Sequence, residues 1–222
     1  AGAITDNPGT SQTVTNGAFW SGTSVSLTDN VADVLSVGTN ATFLASGGGA
    51  ITIAAVGSAN FGTLAFATTG TVNITEDSAT AFESTSSGST ITVNSAGAMT
   101  DAVPDAGNEI VGTDLTLTAI GGVGAAGEPI HIAVTNLDVS NTASGGIFVT
   151  DTLGGLVLAN LGGPNANAVN GVGGGGEIRA NSPLTIAANA TTSGGMTYTA
   201  ADSAAAGDDL TVNSGVTVQD TT

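Results

Sequence analysis

The stretch Thr90-Ile-Thr-Val-Asn-Ser-Ala-Gly-Ala-Met-Thr100 is the clearest guide to the architecture of the chain, because variants of it recur at regular intervals. In each variant a short apolar-polar-apolar run leads through small residues to a Gly-x-[Ile/Met] corner. Successive corners are 47, 48, 48 and 49 residues apart and begin at Gly2, Gly49, Gly97, Gly145 and Gly194. A sequence that repeats at a nearly fixed interval predicts stacked structural units.

The composition favours short strands around a thin core. Charged residues make up only 9% of the chain, aromatic residues 4%, and 34 residues are glycine. Few large side chains are therefore available to fill the centre of a compact globule. Apolar doublets that alternate with polar residues predict half-buried strands, for example Val25/Leu27, Val72/Ile74, Ile91/Val93, Leu115/Leu117 and Leu184/Ile186. An apolar fraction of 41% argues against the disorder that Gly- and Ser-rich chains often show.

Together these patterns predict an all-β, right-handed parallel β-helix that forms a single domain over residues 1–222. Half of the 48-residue interval gives turns of about 20–24 residues, so two turns make one sequence repeat. Each strand would pair with the strand one turn above it, at roughly 4.8 Å. The Gly- and Asn-rich segment 160–176 is predicted to be a loop that bulges from the rod. Tandem Ig-like β-sandwiches are the alternative, since twice 48 residues is about the length of one such domain.

The charge balance excludes some classes of partner. One arginine, no lysine and 18 acidic residues give a net charge of −17, so the chain lacks the basic clusters that bind nucleic-acid phosphates. No apolar run is long enough to span a membrane. The chain has no cysteine, so its stability must come from backbone pairing and stacking rather than from disulfides. Residue 1 is alanine with no basic, apolar leader after it, from which we expect a processed form or an internal segment.

One part of the sequence resembles a known family. Residues 111–130, from Val-Gly-Thr-Asp-Leu-Thr-Leu-Thr onward, and residues 133–149 are similar to the repeats of large bacterial exoproteins related to filamentous haemagglutinin. The resemblance covers most of the chain as a general similarity of composition and repeat pattern, and it is strongest over residues 97–160. It implies a right-handed parallel β-helix, secretion to the bacterial surface, and a role as an adhesin or filament. The amino-terminal secretion domain of that family is not evident in this sequence.

Acidic residues at the predicted turns are candidate ligands for calcium, a hard cation that prefers oxygen. Neither an EF-hand loop nor a glycine-aspartate nonapeptide is present, and solvated carboxylates are the more common outcome at such turns. The candidates are Asp29, Asp33, Glu76, Asp77, Asp101, Asp105, Asp208 and Asp209. No other cofactor is predicted.

The sequence offers little for catalysis. His131 is the only histidine and lies between two isoleucines, so in a strand it should point outward. Paired carboxylates beside an aromatic sugar platform, which a polysaccharide-degrading enzyme would use, do not stand out. We therefore predict a non-enzymatic, secreted structural or adhesive rod that self-associates or continues into a longer chain. The alternative is an adhesin domain that binds a glycan or a host protein, with a localised groove near 160–176; an enzyme is the third possibility.

Overall fold

A computed structural model describes residues 1–163, 166–202 and 207–221. Within these ranges the chain is all-β and forms two large sheets. The thirteen-strand sheet contains β1 Ile4–Thr5, β4 Val25–Leu27, β6 Ile51–Ile53, β8 Thr71–Glu76, β11 Thr90–Ser95, β14 Asp114–Ala119, β16 Asn136–Asn141, β18 Leu156–Leu158, β19 Val169–Gly171, β21 Leu184–Ile186, β22 Ala190–Thr192, β24 Leu210–Val212 and β25 Val218–Asp220. The twelve-strand sheet contains β2 Ser11–Val14, β3 Ala18–Gly22, β5 Val34–Ala45, β7 Ser58–Ala67, β9 Thr80–Phe82, β10 Ser86–Ser87, β12 Met99–Asp101, β13 Ile110–Val111, β15 Ile130–Ala133, β17 Ile147–Asp151, β20 Gly176–Ala180 and β23 Met196–Ala200.

The strands stack as a parallel β-solenoid of about nine turns. All pairings between these strands are parallel and join each strand to one about a turn away in sequence. The one antiparallel bridge in the described chain, Ala125 to Glu128, closes a short loop. This topology confirms the solenoid and rules out the Ig-like alternative, whose sheets are antiparallel. Among the described residues no helix is long and apolar enough to cross a bilayer.

The core consists of apolar ladders that run along the axis, as the alternating doublets predict. One ladder places a single inward residue on each turn: Val25, Ile51, Val72, Ile91, Leu115, Leu137, Leu158 and Ile186, all at most 2% exposed. Turn length varies along this ladder. The step from Val72 to Ile91 is shorter than the predicted turn, and the step from Leu158 to Ile186 is longer. Each turn thus contributes a few apolar contacts to a narrow, continuous core.

Glycine corners allow neighbouring turns to approach closely. At Gly49 a Cβ atom would lie 1.6 Å from the carbonyl oxygen of Thr23 one turn below, so no side chain fits there. Gly145 has a φ of +81° and leaves only 2.3 Å between an added Cβ and the carbonyl oxygen of Gly121. These restrictions explain why Gly49 and Gly145 are glycine.

The 48-residue interval corresponds to two turns in only part of the solenoid. Met99, Val123 and Ile147 lie in register on successive turns, so the interval from Gly97 to Gly145 is two turns. From Ile51, however, two turns end at Ile91, well before Met99 is reached. The corner at Gly49 leads into the thirteen-strand sheet, whereas the corner at Gly97 leads into the twelve-strand sheet. The 48-residue sequence repeat therefore falls in different sheets at different points along the chain.

The segment predicted as a loop at 160–176 is divided by a strand. Strand β16 pairs with β18 through Leu137 and with β19 through Val139, so the described residues 160–163, 166 and 167 interrupt one ladder, while Ala159 and Ala168 are still hydrogen-bonded to β16. Strand β19 then lies within the predicted loop, and β20 begins at its last residue. Pro164 and Asn165 lie outside the described residues. Residues 159–163, called the bulge below, lie over Asp138 on the outer face of β16, and the Asp138 side chain accepts hydrogen bonds from the Leu161 and Gly163 amides.

Candidate functional site

A ladder of polar side chains crosses the outer face of the thirteen-strand sheet, and its last member lies beneath the bulge. Its members occupy one register position on five successive strands: Thr52, Asn73, Thr92, Thr116 and Asp138. Asn73 is exposed, Thr116 is 8% exposed and Asp138 is fully buried. The exposure of the ladder residues therefore falls from Asn73 to Asp138, which residues 159–163 cover.

The ladder and the bulge enclose a groove of about 380 Å³. Its floor presents hydroxyl and amide groups and one of its walls is main chain; the lining residues are Asn73, Thr92, Asn94, Thr116, Thr118, Leu161, Gly162 and Gly163. The Thr118 hydroxyl oxygen is shielded from solvent and has no hydrogen-bond partner in the described structure. A buried polar atom without a partner is uncommon, because leaving it unpaired is costly.

Asp138 fixes the wall of the groove. Its Oδ2 accepts hydrogen bonds from the amides of Leu161 at 2.9 Å and Gly163 at 3.2 Å, while its buried Oδ1 has no hydrogen-bond partner among the described residues. Burial raises the pKa of this carboxyl, and the two backbone hydrogen bonds only partly offset that effect. A Cβ on Gly163 would lie 2.9 Å from Oδ1, so a larger residue there would require the Asp138 carboxylate or the bulge to shift. Asp138 is thus a positioning residue for residues 161–163.

A second cavity, of about 250 Å³, contains four carboxylates. Asp101 ends β12 and Glu109 directly precedes β13, while Glu83 and Asp105 come from the adjoining loops. Glu109 is only 5% exposed and accepts a hydrogen bond from the His131 amide. The His131 ring lies on the same side, with Nδ1 3.6 Å from Glu109 Oε2. The loop between Asp101 and Asp105 is held by its own Asp101 carboxylate, which accepts from the Val103 amide at 2.8 Å.

The carboxyl of Glu109 has a pKa well above its ordinary value. Burial raises the pKa of Glu109 to about 7, and the nearby Asp101 and Asp105 charges add to that, against the hydrogen bond from the His131 amide. A carboxyl that titrates near neutrality in a cavity is typical of acid–base sites but also of buried structural groups. The His131 side chain is 16% exposed, so it lies between the outward position predicted for it and the core.

One cluster in the described chain brings three carboxylates within 4.8 Å of one another, and it unites two predicted calcium ligands with a third that sequence reasoning missed. Asp29 and Asp33 lie on one turn, and Asp6 reaches them from the turn before. Asp6 Oδ1 is shielded from solvent and has no hydrogen-bond partner within the part of the chain that the structure describes. Asp33 is fully buried and accepts hydrogen bonds from the amides of Thr10 at 2.8 Å and Asn30 at 2.9 Å. Burial alone would raise the pKa of Asp33, but these hydrogen bonds outweigh it and hold that pKa below its ordinary value. Three such oxygens could hold a hard cation.

The other predicted calcium ligands do not form clusters of this kind in the described chain. Glu76 is buried in the wall of the solenoid, where Oε1 accepts from the Phe61 amide at 2.9 Å, while neighbouring Asp77 is exposed. Asp101 and Asp105 line the four-carboxylate cavity instead. Asp208 and Asp209 precede β24 at the last described turn. Specific calcium binding stays a prediction.

Comparison of the chain with models of protein families, with curated proteins and with solved structures finds no match in any of the three. The resemblance to exoproteins related to filamentous haemagglutinin therefore stays a prediction.

Proposed function

We propose that this chain is a non-enzymatic structural rod, an extracellular filament element whose axial ends associate with further β-solenoid. The extracellular, bacterial location rests on the sequence resemblance alone. Nine turns at roughly 4.8 Å give a rod on the order of 45 Å. Parallel ladders and axial apolar stacks make such a rod stiff, since every turn is hydrogen-bonded to the next.

The observation that carries the proposal is the surface at the last described turn. The core ladders continue into Leu210, Val212 and Val218, which are 47%, 48% and 44% exposed. Strands β24 and β25 are each paired on one side only, so their outer backbone groups have no strand partner within the described chain. An apolar surface edged by unpaired strand is a template for further pairing. Additional chain or the first turn of a second copy would cover it, and either one lengthens the rod.

We expect purified chain to form rods that lengthen as concentration rises, visible by negative-stain electron microscopy and as rising mass in light scattering. Head-to-tail contacts of this kind do not close, so growth is open-ended. Val212→Asp should shift growth to at least tenfold higher concentration, because a charge in a stacked apolar ladder must be desolvated.

The matched control is Val56→Asp, since Val56 is 62% exposed in a loop between β6 and β7 on the side of the rod. That variant should assemble like the unmodified chain. Short rods of one length at all concentrations would contradict end-to-end assembly, as would equal effects of the two substitutions.

An adhesive rod is the second candidate, and the groove beneath residues 159–163 favours it. A localised concave surface with convergent polar groups is what a binding module needs and what a purely mechanical element does not. Its position agrees with the groove predicted near 160–176. The two candidates are compatible, because one chain can be both shaft and binding surface.

A further inference from the structure

We propose that the groove between the Asn73–Thr92–Thr116 ladder and residues 161–163 binds a neutral oligosaccharide. The inference rests on the adhesive form of the proposed function and assigns a ligand class to that groove.

The lining matches a ligand rich in hydroxyl groups. Threonine hydroxyls both donate and accept hydrogen bonds, and asparagine amides do the same through separate atoms. They recur on three consecutive turns, at β8, β11 and β14, so polar contacts repeat along roughly 10 Å of the groove. Sugar hydroxyls provide alternating donors and acceptors over such a length.

Other ligand classes fit less well. A peptide strand cannot add to the floor, because β8, β11 and β14 are each paired on both sides and their ladder hydrogen bonds are used. An anionic polymer would meet a chain of net charge −17 and a groove whose lining contains no cation. An apolar ligand would leave the hydroxyl and amide groups of the floor unpaired.

The same lining sets the expected strength of binding. None of the described residues that line the groove is aromatic, so they offer no stacking contribution of the kind that strengthens many polar recognition sites. We expect a single groove to bind with a Kd on the order of 1 mM. Copies repeated along a filament would raise the overall strength through multivalency.

The test is saturation-transfer NMR on the full chain with maltotriose, cellotriose and chitotriose, and with trigalacturonate as the acidic probe. We expect transfer to at least one neutral trisaccharide and none to trigalacturonate. The double substitution Thr92→Val and Thr116→Val removes two floor hydroxyls while keeping β-branched side chains, and should weaken binding at least tenfold. Thr185→Val changes an outward threonine of the same sheet that does not line the groove, and should leave binding unchanged.

Circular dichroism must show that both variants keep the fold. The inference is overturned if no neutral trisaccharide binds, if trigalacturonate binds equally well, or if the double variant binds like the unmodified chain. Electron microscopy on the same samples separates this result from the proposed rod. Chain that lengthens into filaments but binds no trisaccharide would overturn the ligand assignment and leave the structural role standing.

Discussion

Replacing Phe43 by alanine is expected to lower the free energy of unfolding by about 3–5 kcal/mol, the range for large aromatic truncations in a packed core. Phe43 is fully buried, and its ring stacks on Trp20 with centroids 5.0 Å apart. It also meets the edge of Phe61 at 5.6 Å. Trp20, Phe43 and Phe66 lie in register on successive turns, so the truncation breaks an aromatic ladder at its middle rung. In a narrow core, few neighbouring side chains can move into the cavity that the truncation leaves.

Chemical denaturation followed by Trp20 fluorescence measures this effect, because Trp20 is the only tryptophan and stacks on the substituted ring. In a solenoid each turn contacts only its neighbours, so the amino-terminal turns should unfold at lower denaturant than the rest. The fluorescence transition of the variant should then precede its circular dichroism transition.

Phe19→Ala is the matched control, since the adjacent Phe19 is 64% exposed. It should change stability by less than about 0.5 kcal/mol, as surface substitutions usually do. Equal effects of the two substitutions would contradict the stacked core at these turns.

Alternation along the strands was enough to predict the fold and the core. Val25 and Leu27 share a parity and are both buried, and the same holds for later doublets such as Leu184 and Ile186. The same rule contained signals that were missed. Glu76 continues the parity of Val72 and Ile74 and is therefore inside rather than at a solvated turn. Aromatic residues at positions 20, 43 and 66 are evenly spaced along the sequence, which indicates an axial stack.

The candidate sites depend on register between turns, which one sequence does not specify. Turn length varies from the short step between Val72 and Ile91 to the long step between Leu158 and Ile186. The residue one turn above a given position therefore cannot be found by counting a fixed number of residues along the sequence. Asp138 has the outward parity of its strand and is nevertheless fully buried, because a bulge from a later turn covers it. Alternation along a strand gives the face of the sheet on which a side chain lies, but not which other segment of the chain covers that face.

The carboxylate cluster near the amino terminus shows the same dependence on register. Asp6 meets Asp29 and Asp33 only because the first two turns align as they do. Acidic residues at turns are visible in the sequence, but which of them share a turn edge is decided by the lengths of the turns between them. For that reason two of the three members were predicted as calcium ligands and the third was missed.

The solenoid is expected to be more stable in mild acid than at alkaline pH, with Glu109 as the largest single contributor. Its folded-state pKa is about 7 against an ordinary value of 4.5, chiefly because of burial. Since the folded state holds this proton more tightly, the stabilisation is complete below pH 4.5 and is lost as the pH rises through about 7. The difference corresponds to a free energy on the order of 3 kcal/mol.

Other buried carboxyls act in the same direction. Burial raises the pKa values of Glu76, Asp138 and Asp151, each of which is at most 1% exposed. Asp33 acts in the opposite direction, because its lowered pKa contributes stability that is lost only as the pH falls below the ordinary aspartate range. Repulsion within a chain of net charge −17 also eases as carboxylates are protonated. We therefore expect the melting temperature to rise from pH 8 toward pH 5.

Glu109→Gln isolates the contribution of the cavity. The neutral amide keeps an acceptor for the His131 backbone amide and removes a charge that would otherwise face Glu83, Asp101, Asp105 and the His131 ring. Thermal melts between pH 4.5 and pH 8.5 should show a higher melting temperature at pH 8 than for the unmodified chain, and a flatter dependence between pH 5 and pH 7. Glu128→Gln, at an exposed glutamate, removes the same charge from the whole molecule and serves as its control.

The comparison between these two variants separates a local cause from a global one. If the general repulsion of a highly acidic chain dominated, both substitutions would shift the melting curves alike, since each removes one negative charge. If burial of one carboxyl dominates, only Glu109→Gln flattens the dependence, because desolvation acts at that site alone. Identical pH profiles for Glu109→Gln and the unmodified chain would show that Glu109 titrates in the folded solenoid as it does in the unfolded chain.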